Sequence, residues 1–346
     1  MDAAAFDRLM TAPGLAARTA RAALRLAEPA YSLAARLNGR RRHHRAQSLP
    51  VPVVSVGNLT CGGTGKTPVV AWLANRLTRE GWSPGLLSRG YGAVDDRGND
   101  ERRVLDALCP GVPHEQDRDR IAAGRRLIAD GCDLLILDDG FQYRQLHRTV
   151  DLVVVDALNP WGYGHCLPRG LLREPVAALS RATHVLINRV DSVDAATVAA
   201  IRAEITRHTA APVLTADVRP TRLIDADGRT APLSELDADA LPFCGLGNPA
   251  GFAATLASLG VTGRIESFPD HHHFGPADLA RLADLASRRG CDQLVCTQKD
   301  LVKLTGGRLA GRDVWAIEIA LQIETGASSL LQAIDSCGRT PLRQAA

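Results

Sequence analysis

The sequence lacks the runs and clusters that define several protein classes. It has no uninterrupted apolar stretch of the roughly 18 residues that a membrane-spanning helix needs. Its eight cysteines form no CxxC pair, so neither a zinc site nor a disulfide framework is indicated, and scattered thiols fit a reducing compartment. We find no signal peptide, internal repeat or low-complexity tract. A length of 346 residues with 45% hydrophobic content then predicts a globular protein of two domains.

Lysine is almost absent. Lysine and arginine together number 41, yet the only lysines are Lys66, Lys299 and Lys303. Arginine is a planar fork, whereas lysine is a compact cation. Retention of Lys66 inside a glycine-rich loop therefore suggests that a compact ammonium is needed there. Surface solvation is the simpler interpretation of Lys299 and Lys303.

The glycine-rich segment 55–68 is the most informative part of the chain. It follows an apolar run, 51–56, and precedes a helical pattern, 69–77. Glycines let backbone N–H groups approach an anion, and a helix N-terminus adds a positive dipole end. The strict phosphate-loop pattern is broken by Thr60, and the alternative is a glycine-rich turn with an incidental lysine. The strand and helix on either side favour an ATP-binding loop that consists of Gly62, Gly63, Thr64, Gly65, Lys66 and Thr67.

Within this loop the side chains of Lys66 and Thr67 have separate expected roles. Lys66 would reach the β- and γ-phosphates, and the Thr67 hydroxyl would bind Mg²⁺. A second apolar run, 134–137, ends in Asp138 and Asp139. An acid at such a strand end holds Mg²⁺ in phosphate-loop proteins. Since adjacent residues of an extended chain point opposite ways, one acid should face the metal and the other either the substrate or a supporting side chain. A common Asp-Gly turn is the alternative.

Alternating strand and helix patterns from residue 51 predict an α/β fold with a parallel sheet. The expected strands are 51–56, 85–88, 134–137, 152–155, 185–188 and 213–216, with helices at 69–80, 118–130 and 194–208. A hairpin over 221–233, which turns at Asp227-Gly228, precedes a second, smaller α/β set. Its expected elements are strands at 243–246, 294–297 and 314–319 and helices at 250–259 and 276–289. We therefore divide the chain into residues 1–45, 46–220 and 221–346.

Residues 1–45 form a basic segment. They carry nine arginines against three acids, a charge of +6, whereas the whole chain is +3. Residues 14–38 read as an amphipathic helix, broken near Pro29, with a leucine stripe beside a row of arginines. Such a helix lies on an anionic membrane, or packs on the protein body by its leucines; the two readings are left open. A nucleic-acid partner is not expected, because no aromatic residues are interleaved and no recognisable module is present.

Three further patterns are weak by themselves. Residues 268–274 place three histidines after Asp270, which suits a carboxylate-oriented histidine but is more typical of a polar loop. Residues 95–103 read as a charged, solvated loop. Arg169 and Arg173 follow a glycine-rich run and suit anion recognition or simple surface charge.

Taken together, these motifs resemble the tetraacyldisaccharide 4′-kinase family, the lipid A 4′-kinases. The resemblance is carried in order by residues 55–68, 88–92, 138–142, 171–175, 243–249, 268–272 and 297–304. It implies a two-domain phosphate-loop enzyme that transfers the γ-phosphate of ATP, with Mg²⁺, to the 4′-hydroxyl of a lipid-linked disaccharide 1-phosphate. It also implies a peripheral enzyme on the cytoplasmic face of the inner membrane, and we expect a monomer.

The resemblance also assigns residues. Lys66 and Asp138 match the phosphate and metal positions, and Asp100 and His271 match a proton-accepting pair. The substrate contacts implied are Arg173, Asp139 and Glu101. The acid loop reads Gly-Asn-Asp-Glu-Arg with an extra Asn99, so either Asp100 or Glu101 is the base. Tyr143 and Arg169 replace the family's usual His and Ala. A membrane-associated partitioning ATPase is the alternative function, and Cys61 argues against it because it occupies the place of that family's signature lysine.

Overall fold

The computed structural model describes residues 3–90, 100–246, 249–269 and 272–338. Two compact units are present. The larger contains Asp7–Val218 and Leu321–Ala346, and the smaller contains Met1–Phe6 and Arg219–Ala320. The strands β7 and β13, defined below, each contain residues of both units.

The larger unit is built on a parallel sheet. Its strands follow the spatial order β7-β6-β5-β1-β4-β2-β3, and every neighbouring pair is parallel. Val54 of the central strand lies opposite both Ile136 and Val150, which fixes the register. Most of these strands are buried along their whole length, as expected for a sheet covered on both faces. The strands are β1 (Val53–Asn58), β2 (Pro84–Ser88), β3 (His114–Gln116), β4 (Leu134–Asp138), β5 (Val150–Asp156), β6 (His184–Asn188) and β7 (Val213–Ile224).

Helices connect these strands. Each lies near its predicted position where the apolar spacing is clear, and the capping residues set the ends: Asp119 accepts the N–H groups of Ile121 and Ala122. The helices up to residue 218 are α1 (Ala3–Thr11), α2 (Leu15–His43), α3 (Lys66–Arg79), α4 (Asp100–Leu108), α5 (Arg120–Ala129) and α6 (Ala195–Thr206).

The strands of the smaller unit pair in parallel and continue the same sheet, and its apolar side chains form two buried cores. The order is β10-β9-β11-β13. The predicted hairpin is confirmed: Leu223 of β7 pairs with Ala231 of β8, and Gly228 turns the chain at a φ of +83°. The elements are β8 (Thr230–Ala231), β9 (Leu241–Cys244), α7 (Ala250–Ser258), β10 (Glu266–Ser267), α8 (Pro276–Arg289), β11 (Gln293–Thr297), α9 (Gln298–Leu301), β12 (Arg308–Leu309) and β13 (Arg312–Thr325).

The C-terminal helix belongs to the larger unit. The sequence-based division kept 221–346 together, but residues from Leu321 onward cluster with the larger unit. The reason is the final helix, α10 (Ala327–Asp335), whose Leu330 and Ile334 are fully buried in the core that also contains Val54 and Leu214. A local pattern cannot reveal which core such a short helix joins, because that depends on the path of β13.

Helix α2 is longer and more regular than predicted. The sequence indicated a break near Pro29, but the helix runs from Leu15 to His43 with Pro29 inside it. A proline removes a single backbone donor and leaves the carbonyl one turn earlier unpaired. Arg25, which carries that carbonyl, is exposed, so water can hydrate it. In the part of the chain described by the structure, no helix has both the length and the hydropathy needed to cross a bilayer.

Replacement of Leu330 by alanine tests the placement of α10. Leu330 is fully buried, so Leu330→Ala should lower the free energy of unfolding by about 2–5 kcal/mol. The matched control is Gln332→Ala, which alters an exposed residue of the same helix and should stay within about 0.5 kcal/mol. Urea denaturation of the full chain measures both. Equal stability of the two variants would contradict a structural role for α10.

Candidate active site

The phosphate loop joins β1 to α3. Gly65 precedes α3 at a φ of +82°, and a Cβ there would lie 2.3 Å from the Asn188 amide nitrogen. That amide donates to the Thr64 carbonyl at 3.1 Å, and Cys61 N–H donates to the Leu171 carbonyl at 2.7 Å. Apart from the adjoining residues of the chain, no atom of the described residues lies within 4 Å of a Cβ built at Gly62 or Gly63. Contacts with Asn188 and Leu171 thus hold one side of the loop, and its glycines leave room for an anion to approach the backbone N–H groups.

Lys66 is the first residue of α3, and its ammonium lies between two oxygen acceptors. Its Nζ lies 3.3 Å from Asn58 Oδ1 and 3.5 Å from Asp139 Oδ1. Its side chain is only 15% exposed. The ammonium is therefore fixed between the end of β1 and the acid pair rather than extended into solvent.

Asp138 ends β4 and is buried. Its Oδ1 has no hydrogen-bond partner within the described residues. The pKa of Asp138 is raised to about 7: burial is the largest cause, Lys66 acts to lower this pKa, and Glu101 and Asp139 act to raise it. A buried carboxylate oxygen without a partner is costly unless a cation or donor completes it.

Asp139 has a different environment. Arg173 Nη1 lies 2.9 Å from Asp139 Oδ1 and 2.8 Å from Oδ2, and Lys66 is its second cation. Burial acts to raise the pKa of Asp139, but Lys66 and Arg173 outweigh it and lower this pKa. The environments of the two acids differ, as expected, but an extended backbone is not the reason. Asp139 has a φ of +51°, so the assumption of an extended pair was wrong, and a turn separates the two carboxylates.

Arg173 is held by several partners. Its Nη1 also donates to Gln142 Oε1 at 3.3 Å, and Gln142 Nε2 donates to the Asn58 carbonyl at 3.0 Å. Its own N–H donates to the Leu59 carbonyl at 2.7 Å. The structure therefore brings together Lys66, Asp139 and Arg173, three residues that the resemblance assigned to the site, and their roles stay predictions. The roles of Asn58 and Gln142 were missed, although both lie inside motifs that the sequence singled out.

Asp100 is the first residue of α4. The sequence indicated a charged loop over 95–103, and the structure corrects this from residue 100 onward; residues 95–99 lie outside the described part. Val104 and Leu105 are buried and anchor the helix, and the acidic first turn suits its N-terminus. Asp100 is 7% exposed, whereas Glu101 is exposed. Because Glu101 contributes to the raised pKa of Asp138, the start of α4 lies near the acid pair.

A hydrogen-bonded relay, missed by sequence reasoning, joins α4 to the sheet; its Ser88 and His114 are buried and its Asp106 is exposed. His114 Nε2 lies 2.9 Å from Ser88 Oγ, and His114 Nδ1 lies 3.0 Å from Asp106 Oδ1. Gln116 Nε2 also donates to Ser88 Oγ at 2.8 Å. The relay joins the end of β2, β3 and α4, so it orients the helix that begins with Asp100. Its members are separated along the chain, and no local pattern links them.

In the smaller unit the predicted histidine loop is described only in part. Asp270 and His271 lie outside the described residues. On one side, Phe268 N–H donates to the Cys244 carbonyl at 2.8 Å. On the other, His272 Nε2 lies 2.9 Å from Asp278 Oδ2, and the His272 ring stacks on Phe268 with centroids 4.8 Å apart. The described residues on both flanks are therefore held by contacts within the smaller unit.

A buried ion pair lies beside the same segment. Asp300 accepts Gly245 N–H at 3.1 Å and the Thr297 hydroxyl at 2.7 Å, and Lys303 Nζ lies 3.3 Å from it. The Lys303 side chain is 1% exposed, so the surface interpretation of this lysine was wrong. Gly245 in turn packs near Pro269 and His272.

Comparison with known proteins identifies the family. The family model described as tetraacyldisaccharide-1-P 4′-kinase matches residues 20–336. A tetraacyldisaccharide 4′-kinase of Anaeromyxobacter sp. is 37% identical over 310 residues, which is 83% of this chain and 82% of the relative. The chain belongs to the tetraacyldisaccharide-1-phosphate 4′-kinase family. Another relative of that name, from Syntrophus aciditrophicus, is 38% identical over 288 residues, 75% of this chain and 77% of the relative.

A solved structure extends the likeness to the fold. LpxK from Aquifex aeolicus, crystallised in complex with ATP, has a TM-score of 0.72 at 26% identity and covers 92% of this chain and 99% of its own. The predicted α/β phosphate-loop fold and the kinase function in lipid A biosynthesis are therefore confirmed. The partitioning-type ATPase is set aside by the same match.

Two glycine variants test the loop geometry. In Gly65→Ala the new Cβ meets Asn188 and φ is unfavourable, so ATP affinity should fall by about tenfold or more while the fold persists. Gly111→Ala is the matched control, since Gly111 also has a positive φ but lies outside the loop, and no atom of the described residues crowds its Cβ. Binding of a fluorescent ATP analogue, with thermal melts for folding, compares them. Equal affinities would contradict the close packing of Gly65 on Asn188.

Proposed function

We propose that the loop and the acid pair form one phosphoryl-transfer site in this family member. Backbone N–H groups of Gly62, Gly63, Thr64 and Gly65 surround the ATP phosphates, and Lys66 neutralises charge at the β- and γ-phosphates. The observation that carries the proposal is the ion-pair chain from Lys66 through Asp139 to Arg173, which fixes two cations at the mouth of the loop. Positioned charge is the main source of rate in this chemistry.

The residues present fit a Mg²⁺ ion. Asp138 offers a buried carboxylate oxygen that lacks a partner in the described part of the chain, and Thr67 offers a hydroxyl from the first turn of α3. The described residues contain no group of three or more His, Cys, Asp or Glu that could hold a metal. This suits Mg²⁺, which is usually bound by one or two protein ligands together with waters and substrate phosphates. When bound, the ion neutralises the charge of the phosphates.

The acceptor's hydroxyl needs a base. Asp100 begins α4 next to Glu101, whose charge acts on Asp138, and we propose that Asp100 accepts the 4′-hydroxyl proton as the oxygen attacks the γ-phosphorus and the bond to the β–γ bridging oxygen breaks. His271 is proposed as its partner on the sequence motif alone. Arg173, held by Asp139, contacts the substrate, and Glu101 lies beside the base. The Ser88–His114–Asp106 relay supports this choice, since it orients the helix that begins with Asp100.

Membrane attachment through α2 is the third part of the proposal. Four leucines of its apolar stripe are exposed: Leu15 by 78%, Leu26 by 84%, Leu33 by 59% and Leu37 by 47%. The other face contacts the body: Glu28 accepts Cys166 N–H at 2.7 Å, and Tyr31 donates to the Arg173 carbonyl at 3.4 Å. Exposed leucines beside arginines favour a helix that lies in an anionic interface over one packed by its leucines. We propose a peripheral, monomeric enzyme on the cytoplasmic face of the inner membrane.

The acid–base pairing is tested by a double-mutant cycle. Asp100→Ala and His271→Ala should each lower kcat by about 100-fold or more, and the double variant should be little worse, because groups that act as a unit are not additive. The assay follows radiolabelled ATP onto the disaccharide 1-phosphate at saturating substrates. Glu101→Ala is the control for the neighbouring exposed acid. Fully additive losses would refute the pair, and a silent Asp100→Ala with an inactive Glu101→Ala would move the base by one residue.

The two acids should differ in their metal dependence. Asp138→Asn should raise the Mg²⁺ concentration for half-maximal rate by about tenfold or more, since it removes a proposed ligand. Asp139→Asn should lower the rate with little change in that concentration, because it releases Lys66 and Arg173 instead. Mg²⁺ titrations of initial rate measure both. Superimposable normalised titration curves for the two variants would refute the division of roles.

The membrane role of α2 is tested by two matched pairs of substitutions. Leu26→Asp with Leu33→Asp should strongly reduce cosedimentation with anionic liposomes while ATP binding and thermal stability persist, since both leucines are exposed. Ala23→Asp with Ala34→Asp adds the same charge about a quarter turn away on the same helix and should retain more binding. Equal losses in the two variants would indicate that charge alone, and not the leucine stripe, determines attachment.

A further inference from the structure

Arg181 contacts two segments of the candidate site, and the reaction proposed above assigns it no role. It is the last residue of a short 3₁₀ helix, Val176–Arg181. Leu179 of this helix is fully buried in the apolar core that also contains Phe141 and Leu172. This anchored turn brings the guanidinium of Arg181 back to the segment that carries Arg173.

The guanidinium of Arg181 makes one polar and one aromatic contact. Its Nη2 donates to Glu174 Oε1 at 2.9 Å, and its Cζ lies 4.3 Å from the centre of the Phe141 ring. Both charged side chains are largely shielded from water, since that of Arg181 is 23% exposed and that of Glu174 is 14% exposed. Such shielding strengthens an ion pair and a cation–π contact alike.

Both partners of Arg181 adjoin residues of the ion-pair chain. Glu174 follows Arg173 in the sequence, and Phe141 lies two residues after Asp139. One link between the two segments is the ion pair of Asp139 with Arg173. The second link is Arg181, which joins Glu174 to Phe141. Together with the two stretches of backbone, these contacts form a closed ring.

Phe141 gives this closed ring a fixed point. It is fully buried, and a Cβ built at Gly57 of β1 would lie 2.6 Å from its backbone nitrogen and from its own Cβ. Phe141 is thus packed directly against the central strand. Arg181 therefore connects the segment of Arg173 to a residue that cannot shift without disturbing β1.

We propose that Arg181 is a positioning residue for phosphoryl transfer, which keeps the segment of Arg173 in register with the turn of Asp139. The inference rests on the proposed function, in which Arg173 contacts the substrate. A single ion pair leaves the angle between two segments variable, and a second link between the same segments removes that freedom. A displacement of about 1 Å at a reacting group costs on the order of 100-fold in rate. Arg181 therefore influences kcat although it is assigned no contact with the substrate.

The first test compares three variants by steady-state kinetics. Arg181→Gln should lower kcat about tenfold or more with the KM for ATP nearly unchanged, because the phosphate loop keeps its own contacts. Arg181→Lys keeps a cation that can reach Glu174 but cannot stack as a plane, and it should recover part of the loss. Arg229→Gln is the matched control and should keep the wild-type kcat. Arg229 lies in the smaller unit, where it pairs with Asp225 and lies over the Trp315 ring.

A double-mutant cycle with Asp139→Asn separates positioning from a general loss of stability, and thermal melts show that each variant is folded. If Arg181 acts through the ion pair of Asp139, Arg181→Gln should cost little once Asp139→Asn has already released Arg173. An unchanged kcat in Arg181→Gln would overturn the proposal. Fully additive losses in the double variant would overturn it as well.

Amide hydrogen exchange measures the positioning without any activity. Arg173 N–H donates to the Leu59 carbonyl at 2.7 Å, and Tyr143 N–H donates to the Gly140 carbonyl at 2.8 Å. Peptides that cover 139–143 and 171–175 should exchange about tenfold faster in Arg181→Gln than in wild type, and no faster in the control variant.

Unchanged exchange in both peptides would overturn the positioning role even if the activity fell. The failure of the proposed function has a different signature. If wild type does not phosphorylate the acceptor, or if Asp139→Asn is as active as wild type, the proposed function fails. The exchange measurement then still decides whether Arg181 positions the two segments.

Discussion

The site depends on one carboxylate that binds two cations. Asp139 holds Arg173 through both of its oxygens and Lys66 through one, and its left-handed backbone turn directs it away from Asp138. Without that acid, two positive side chains in a partly buried space would repel each other and move apart. With it, both are available to an incoming anion at fixed positions. Asp139 thus positions two cations, whereas its neighbour Asp138 makes no such ion pair within the described residues.

This division explains why two consecutive aspartates have opposite electrostatic properties. Asp138 is buried at the end of a strand, where desolvation raises its pKa to about 7, and it lacks a partner for one oxygen within the described residues. Asp139, one residue later, has a lowered pKa because two cations face it. A group that is costly to ionise in isolation becomes favourable once a cation arrives, so Asp138 is suited to respond to a metal. Asp139 is suited to be ionised at all times.

The sheet and the phosphate loop could be predicted from the sequence because both depend on local patterns. Apolar runs such as 134–137 stay buried whatever surrounds them, and the glycine-rich segment needs only the strand before it and the helix after it. Features that depend on contacts between residues far apart in the chain could not be predicted. The Ser88–His114–Asp106 relay joins three elements, α10 packs in a core reached only through β13, and Lys303 is buried by its contact with Asp300. The continuity of α2 through Pro29 was missed for a different reason, since a proline in an exposed helix loses a hydrogen bond that water can replace.

The scarcity of lysine gains a physical meaning from the structure. Arginine supplies a planar cation that can bind both oxygens of a carboxylate, as Arg173 does with Asp139. A planar fork would not fit where Lys66 stands, because Asn58 Oδ1 and Asp139 Oδ1 lie within 3.5 Å of its nitrogen and the loop begins at the same point. A point charge with rotatable donors can contact both acceptors and still turn to a phosphate. The two lysines whose ammonium contacts are resolved are enclosed in this way, Lys66 between strand and loop and Lys303 beside Asp300. Selection for compact cations at enclosed sites therefore accounts for these lysines better than chance retention on a surface would.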